Sequence, residues 1–284
     1  MGFRRALPSA SSSEERAAVS DSQECLLVEQ EGHIVTVTMN RPEARNAFNL
    51  EMLVRMADAW DRIDQDPEVR VAILTGAAGH FCAGSDLKEM AGPRPQNEWT
   101  ERLKQEPELH WKALLRSYQL KKPLIAAVEG TAIAGGTEIL QATDIRIVGE
   151  GAKLGVAEAR WALFPLGGST VRLRRQIPFC HAMEMLFTGK HLTAEDAEKL
   201  GLINRVVPKG TALEEARKIA EVIAGNGPLA VQAMKRSVQE TEGLPEAEAL
   251  KKELEIGWPI LATEDAKEGP RAFAEKRKPV FKGK

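Results

Sequence analysis

The chain has 284 residues, 43% apolar and 28% charged, enough to bury one large core with an appended helical segment. Its formal charge of −2 leaves no broad basic field of the kind that collects nucleic acid or anionic membrane, so any polyanionic partner has to be held locally. The three cysteines, Cys25, Cys82 and Cys180, are widely spaced and form no C-x-x-C pair, which favours free thiols in a reducing cytoplasm over zinc or a redox centre.

Residues 1–22 carry Arg4, Arg5 and Ser11-Ser12-Ser13 without an apolar signal core, and they read as a disordered tail. No apolar stretch reaches the roughly 18 residues a membrane span needs, so no membrane partner is expected. Cys25–Glu29 and His33–Met39 alternate around Glu31-Gly32 and predict two strands joined by a tight turn. Asn49 caps a predicted helix with Leu50, Leu53, Ala57 and Trp60 on one face, which leads to a strand at Val71–Thr75. A helical stretch follows around Trp99 to Leu120, then buried strands at Pro123–Val128 and Asp144–Val148.

This alternation predicts an α/β core with a mostly parallel sheet. Past Gly168 strand signals almost vanish. Thr193 and Asp196 start a helix that Gly201 closes, and Leu213, Ala216, Ala220 and Ile223 form another apolar stripe ending at Gly225. The division expected is a tail over 1–22, a core over 23–209 and a helical region over 210–284.

Two small-residue segments lie where strand hands over to helix: Phe81-Cys82-Ala83-Gly84-Ser85-Asp86-Leu87 and Gly130-Thr131-Ala132-Ile133-Ala134-Gly135-Gly136-Thr137-Glu138. The first turn of a helix presents unpartnered N–H groups and a partial positive charge, which suits a developing oxyanion. The second segment approaches a phosphate-binding P-loop, but Gly136 stands where the essential lysine belongs. Glu138 is either a helix-dipole partner or a buried base. Glu158 either pairs with Arg160 or takes part with Glu138 in acid–base work. The five histidines lack metal-ligand spacing, no G-x-S-x-G elbow is present, and Cys82 reads as a packed thiol.

From about Cys25 to the end the chain resembles the enoyl-CoA hydratase/isomerase (crotonase) superfamily. The resemblance rests on Asn40-Arg41-Pro42 with Asn46-Ala47, Cys82 to Leu87, Gly135 to Glu138, the Glu158 segment with Phe164-Pro165 and Gly167-Gly168, Thr188-Gly189 and Gly201-Leu202-Ile203, in family order and spacing. It implies a crotonase-like ββα spiral core with a C-terminal helical trimerisation region, and a homotrimer or dimer of trimers.

The activity implied is reversible syn addition of water to a 2-trans-enoyl-CoA. Coenzyme A then belongs to the substrate and no separate cofactor is expected. The resemblance maps the oxyanion hole onto the N–H groups of Ser85 and Gly135, and the hydratase glutamates onto Glu138 and Glu158. Contacts to CoA or substrate map onto Arg45, Ala47, Ala83, Asp86, Leu87, Lys88, Trp161, Phe273 and Lys276. For Lys276 a CoA phosphate contact competes with a solvated helix end. Another crotonase-type reaction (isomerisation, carnitinyl-CoA-type dehydration or thioester hydrolysis) or an RNA-binding relative are the other readings. Residues Arg160–Ser169 are bulkier than the Gly-rich family pattern and bear on substrate size.

Overall fold

The computed structural model describes residues 24–93 and 95–284; the segment expected to be a tail lies outside them. Strands β1 (Leu26–Glu31) and β2 (Ile34–Met39) form the predicted hairpin. With β3 (Val71–Gly76), β4 (Leu124–Val128), β6 (Ile145–Gly149) and β9 (Arg205–Val207) they make a sheet ordered β1-β2-β3-β4-β6-β9, parallel beyond the hairpin. A second sheet joins β5 (Thr131–Ile133), β7 (Lys153–Gly155) and β8 (Leu192–Thr193). The two sheets meet where Cys82 bridges Ala132, so the first small-residue loop is stitched to the second at the turn of the spiral.

Every residue of β4 is buried, as expected of a parallel strand covered on both faces. Helix α1 (Leu50–Gln65) covers one face with Met52, Met56, Trp60 and Ile63, and the Asn49 side chain caps it by accepting from Met52 N. Further along the chain come α2 (Leu87–Ala91), α3 (Glu98–Gln105), α4 (Leu109–Ala113), α5 (Gly135–Leu140), α6 (Ser169–Gln176), α7 (Phe179–Thr188) and α8 (Ala194–Lys199). Helix α9 (Ala212–Ala224) lays Ala212, Ala216, Ala220 and Ala224 against Val71, Ile73, Ile125 and Ile147 on the opposite face of the first sheet. Alanine at every fourth position lets the helix sit close to the strands.

Three local expectations are corrected. The stretch Trp99–Leu120 is two helices, because Pro107 cannot continue a helix and holds Glu106 outside helical geometry, at φ −127 and ψ 77. Strands do occur past Gly168: β8 and β9 are two and three residues long, too short to show alternation. Thr131–Ile133, inside the second small-residue segment, is strand β5.

Helices α10 (Pro228–Thr241), α11 (Glu246–Gly257) and α12 (Glu264–Ala274) bury few side chains. Met234, Val238, Leu254, Trp258, Leu261 and Phe273 are each more than 60% exposed. The final residues fold back on α12: Asp265 accepts the N–H groups of Lys282 and Gly283, and Glu268 accepts from Arg277 and Val280. Arg70 fastens this tail to the core through the carbonyls of Ala224 and Phe281.

Candidate active site

The turn after β2 organises one wall. Asn46 is fully buried in left-handed conformation (φ 57), accepts Arg41 N, and donates to the carbonyls of Ala77 and His80. The Arg45 carbonyl receives Ala83 N at 3.1 Å, so this turn and the first loop run side by side. Phe48 N donates to Gly84 O at 2.8 Å and Asp86 N donates to Phe48 O at 2.9 Å. In that parallel bridge Phe48 uses the groups on either side of Ser85, which turns the N–H of Ser85 itself away from Phe48.

Gly84 has φ +91, and a Cβ there would stand 2.8 Å from Ala134 Cβ and 3.2 Å from Gly135 N. A Cβ on Gly135 would lie 3.3 Å from the Phe48 ring and 3.6 Å from Gly84 Cα. The loops therefore touch through their backbones, and the N–H groups of Ser85 and Gly135 belong to adjoining stretches. Among the described residues neither group meets a hydrogen-bond acceptor. Ala134, at φ 53 and ψ −124, is the strained residue whose ψ sets the direction of the Gly135 N–H. Ala134 N donates to Gly155 O at 2.7 Å and holds that conformation.

Glu138 and Glu158 are 4% and 9% exposed. The turn Gly167–Ser169 wraps Glu138: Ser169 N donates to Glu138 Oε1 at 3.1 Å, and a Cβ on Gly167 would fall 2.6 Å from Oε2. Burial raises the Glu138 pKa, while the N–H donors of Ser169 and its neighbours oppose the rise. Glu158 lies in a single 3-10 turn, and its buried Oε2 has no hydrogen-bond partner. Burial, with the charge of Glu138 adding to it, pushes Glu158 up to about 7. The two carboxylates thus sense each other across the site, and Glu158 keeps one oxygen, Oε2, without a partner.

Arg160 does not pair with Glu158; it donates to Thr188 O and packs on Gly189. Thr137, which fits the P-loop spacing, is structural: its hydroxyl donates to Ala132 O and accepts Gly155 N. Burial pushes the Cys82 thiol up to about 12, in keeping with a packed group.

Ser85 also lines a cavity of about 570 Å³ between α1, the first loop and α3. Ala47 is buried beside the loop, Ala83 is half-buried, and Arg45, Leu87 and Lys88 are exposed around it. The Asp86 carboxylate is already committed, capping α2 and pairing with Arg41 at 3.0 Å. Trp161 is 68% exposed on the turn that carries Glu158. Phe273 and Lys276 stand exposed at the end of α12 and do not line the cavity.

Motif reading missed three contributors. Phe48 holds the Ser85 bridge with its backbone and packs Gly135 with its ring. Arg41 donates to Ala47 O at 2.7 Å as well as to Asp86, tying both walls. Ser169 supplies the donor to Glu138. Arg41 and Ser169 lie inside segments the motifs cover; only their partners were invisible.

The enoyl-CoA hydratase/isomerase family model matches residues 29–284. The chain is 55% identical to the enoyl-CoA hydratase EchA19 of Mycobacterium tuberculosis, over 91% of this chain and 96% of that protein. It is 38% identical to the (E)-benzylidenesuccinyl-CoA hydratase of Thauera aromatica, over 90% and 98%. The crystal structure of enoyl-CoA hydratase EchA1 from Mycobacterium marinum superposes with a TM-score of 0.83 at 42% identity, covering 92% of this chain and all of that one. With adjoining N–H groups, a buried carboxylate pair and this fold in one chain, the protein belongs to the enoyl-CoA hydratase/isomerase family.

Proposed function

We propose that the protein is an enoyl-CoA hydratase that adds water reversibly to a 2-trans-enoyl-CoA, giving the 3-hydroxyacyl-CoA. The observation that carries this reading is the unequal carboxylate pair beside two unpartnered N–H groups. The relatives named above are hydratases over nearly their whole lengths, which supports the same reaction class.

In this reading the thioester oxygen lies between Ser85 N–H and Gly135 N–H, donors already aimed where negative charge develops as water adds at C3. Glu138, held toward its ionised form by Ser169 N, takes the proton from water. Glu158 has no such donor on Oε2 and a pKa near 7, so its protonated form is populated near neutrality and delivers the proton to C2. Both carboxylates act from one side of the acyl plane, giving syn addition. The chemistry proposed needs no cofactor beyond the CoA of the substrate.

The CoA moiety is assigned to Arg45, Ala47, Ala83 and Asp86–Lys88, with Trp161 beside the acyl end. The exposed apolar side chains of α10–α12 support a homotrimer, alone or paired, as the assembled form. Phe273 and Lys276 then meet CoA as part of that assembly. A cytoplasmic location goes with the free thiols of Cys25, Cys82 and Cys180, and no helix among the described residues is long and apolar enough to cross a membrane.

Incubation with crotonyl-CoA tests the reaction. Loss of the conjugated enoyl-thioester absorbance with formation of 3-hydroxybutyryl-CoA is expected. Free CoA or a shifted double bond as the product would assign a different reaction of the family.

A further inference from the structure

Glu138 on α5 and Gln141 at its C-terminal cap stand one helical turn apart, so both side chains leave the same side of the helix, and Ser169 lies across them. Ser169 N donates to Glu138 Oε1 at 3.1 Å, and Gln141 Nε2 donates to Ser169 Oγ at 2.8 Å. All three residues are buried. The Gln141 backbone is clamped as well: its carbonyl accepts from Arg146 Nη2 at 3.0 Å and from Gln176 Nε2 at 2.8 Å.

A hydroxyl has one proton to give. With Gln141 occupying a lone pair of Ser169 Oγ, that proton is directed away from the amide, and the Ser169 hydroxyl joins its own N–H among the groups that lower the Glu138 pKa against burial. The amide is only half satisfied. Gln141 Oε1 is buried without a partner, a cost that an apolar side chain of equal length would avoid. A local rule broken beside reacting groups points to a role there.

We propose that Gln141 is a positioning residue for the general base: its amide fixes the Ser169 hydroxyl, which together with the Ser169 N–H keeps Glu138 set to receive the proton of water. The proposal deepens the hydratase reading and rests on it. Two other charged groups face Glu138, Glu158 from its 3-10 turn and Arg172 from α6. Arg172 donates to the carbonyls of Gly167 and Leu115, and Arg146 reaches the Gln141 carbonyl, so neither cation replaces the amide at Ser169.

The test measures the pH dependence of kcat/KM for crotonyl-CoA hydration in the wild type, Gln141→Met, Ser169→Ala and the double variant. Carboxyl carbon NMR of the glutamate-labelled proteins follows Glu138 itself, its signal assigned by its loss in Glu138→Gln. In Gln141→Met the acidic limb, which reports the base, is expected to move to higher pH by about 0.5 to 1, and Glu138 to titrate higher by the same amount. That is a fall of about three- to tenfold at acid pH, with the alkaline limb and KM nearly unchanged. Ser169→Ala keeps the backbone donor and is expected to reproduce the shift, and the double variant to go no further, since the amide acts through the hydroxyl. An unmoved acidic limb with turnover lowered equally at every pH overturns the proposal, and so do shifts that add in the double variant. A raised Glu138 titration in a protein that leaves crotonyl-CoA unhydrated would uphold the role of Gln141 and overturn the hydratase reading instead.

Discussion

The donor side of the site, residues 82–86 and 134–136, is held almost wholly by backbone: strand-like bridges, close glycine contacts and one strained alanine. The carboxylate side, Glu138 with residues 158–169, is held by one short turn and a few N–H donors around buried charge. The first arrangement is over-determined, since Phe48, Gly84, Ala134 and Arg41 each constrain the same two N–H groups. The second leaves Glu158 poorly solvated, with an oxygen that has no partner. Preorganisation of a donor pair needs rigidity, whereas a proton donor near neutral pH needs a carboxyl group denied its usual stabilisation. In the proposed mechanism, rigidity and reactivity are therefore separated between the two sides.

That contrast is most sharply tested at Gly84. Gly84→Ala forces a side chain at φ +91 into contact with Ala134 and is expected to lower hydration by about 10² to 10³-fold through the displaced donors. Steady-state assay with near-wild-type turnover would show that the backbone contact does not position the pair. Next in size is Arg41→Met, which removes the tie between Ala47 O and Asp86. A fall of about tenfold in kcat and a loss of about 2 kcal/mol in urea unfolding are expected, with kcat affected more than KM. A change in KM alone would make the pair a binding element only.

The smallest effect concerns stability on the carboxylate side. Burial raises the Glu158 pKa from 4.5 to about 7, so between those values the folded chain binds more protons than the unfolded one. Native stability contributed by this group therefore falls as pH rises through that window. Glu158→Gln is expected to flatten this slope and to be more stable than the wild type above the window, by on the order of 1 to 2 kcal/mol. Parallel unfolding curves for the two proteins at acid and alkaline pH would contradict the strained carboxyl.

Legibility in the sequence follows the same division. The hairpin, α1, β3, β4 and the stripe of α9 were all readable, because each is long enough to express periodicity or buried enough to be uniformly apolar. Strands of two or three residues, such as β8 and β9, carry no period, and their pairing partners are remote in the chain. The glycine loops announced backbone exposure, but that Gly84 and Gly135 nearly touch is a tertiary fact. Residue types alone left Glu158 between pairing with Arg160 and acid–base work. The fold sends Arg160 to Thr188 O, a carbonyl 28 residues away, which no local spacing reveals. The basic C-terminal run has a further explanation: Arg277 is locked to Glu268, whose carboxyl it holds well below the usual range.

The division of labour between the two sides is tested most directly by Glu158→Gln, measured for both enoyl-CoA binding and hydration. The variant keeps the donor pair and a side chain of the same shape. The expected result is an affinity within about threefold of the wild type and a turnover lowered by about 10² to 10⁴-fold. Turnover close to the wild type would contradict the assignment of Glu158 as the proton donor.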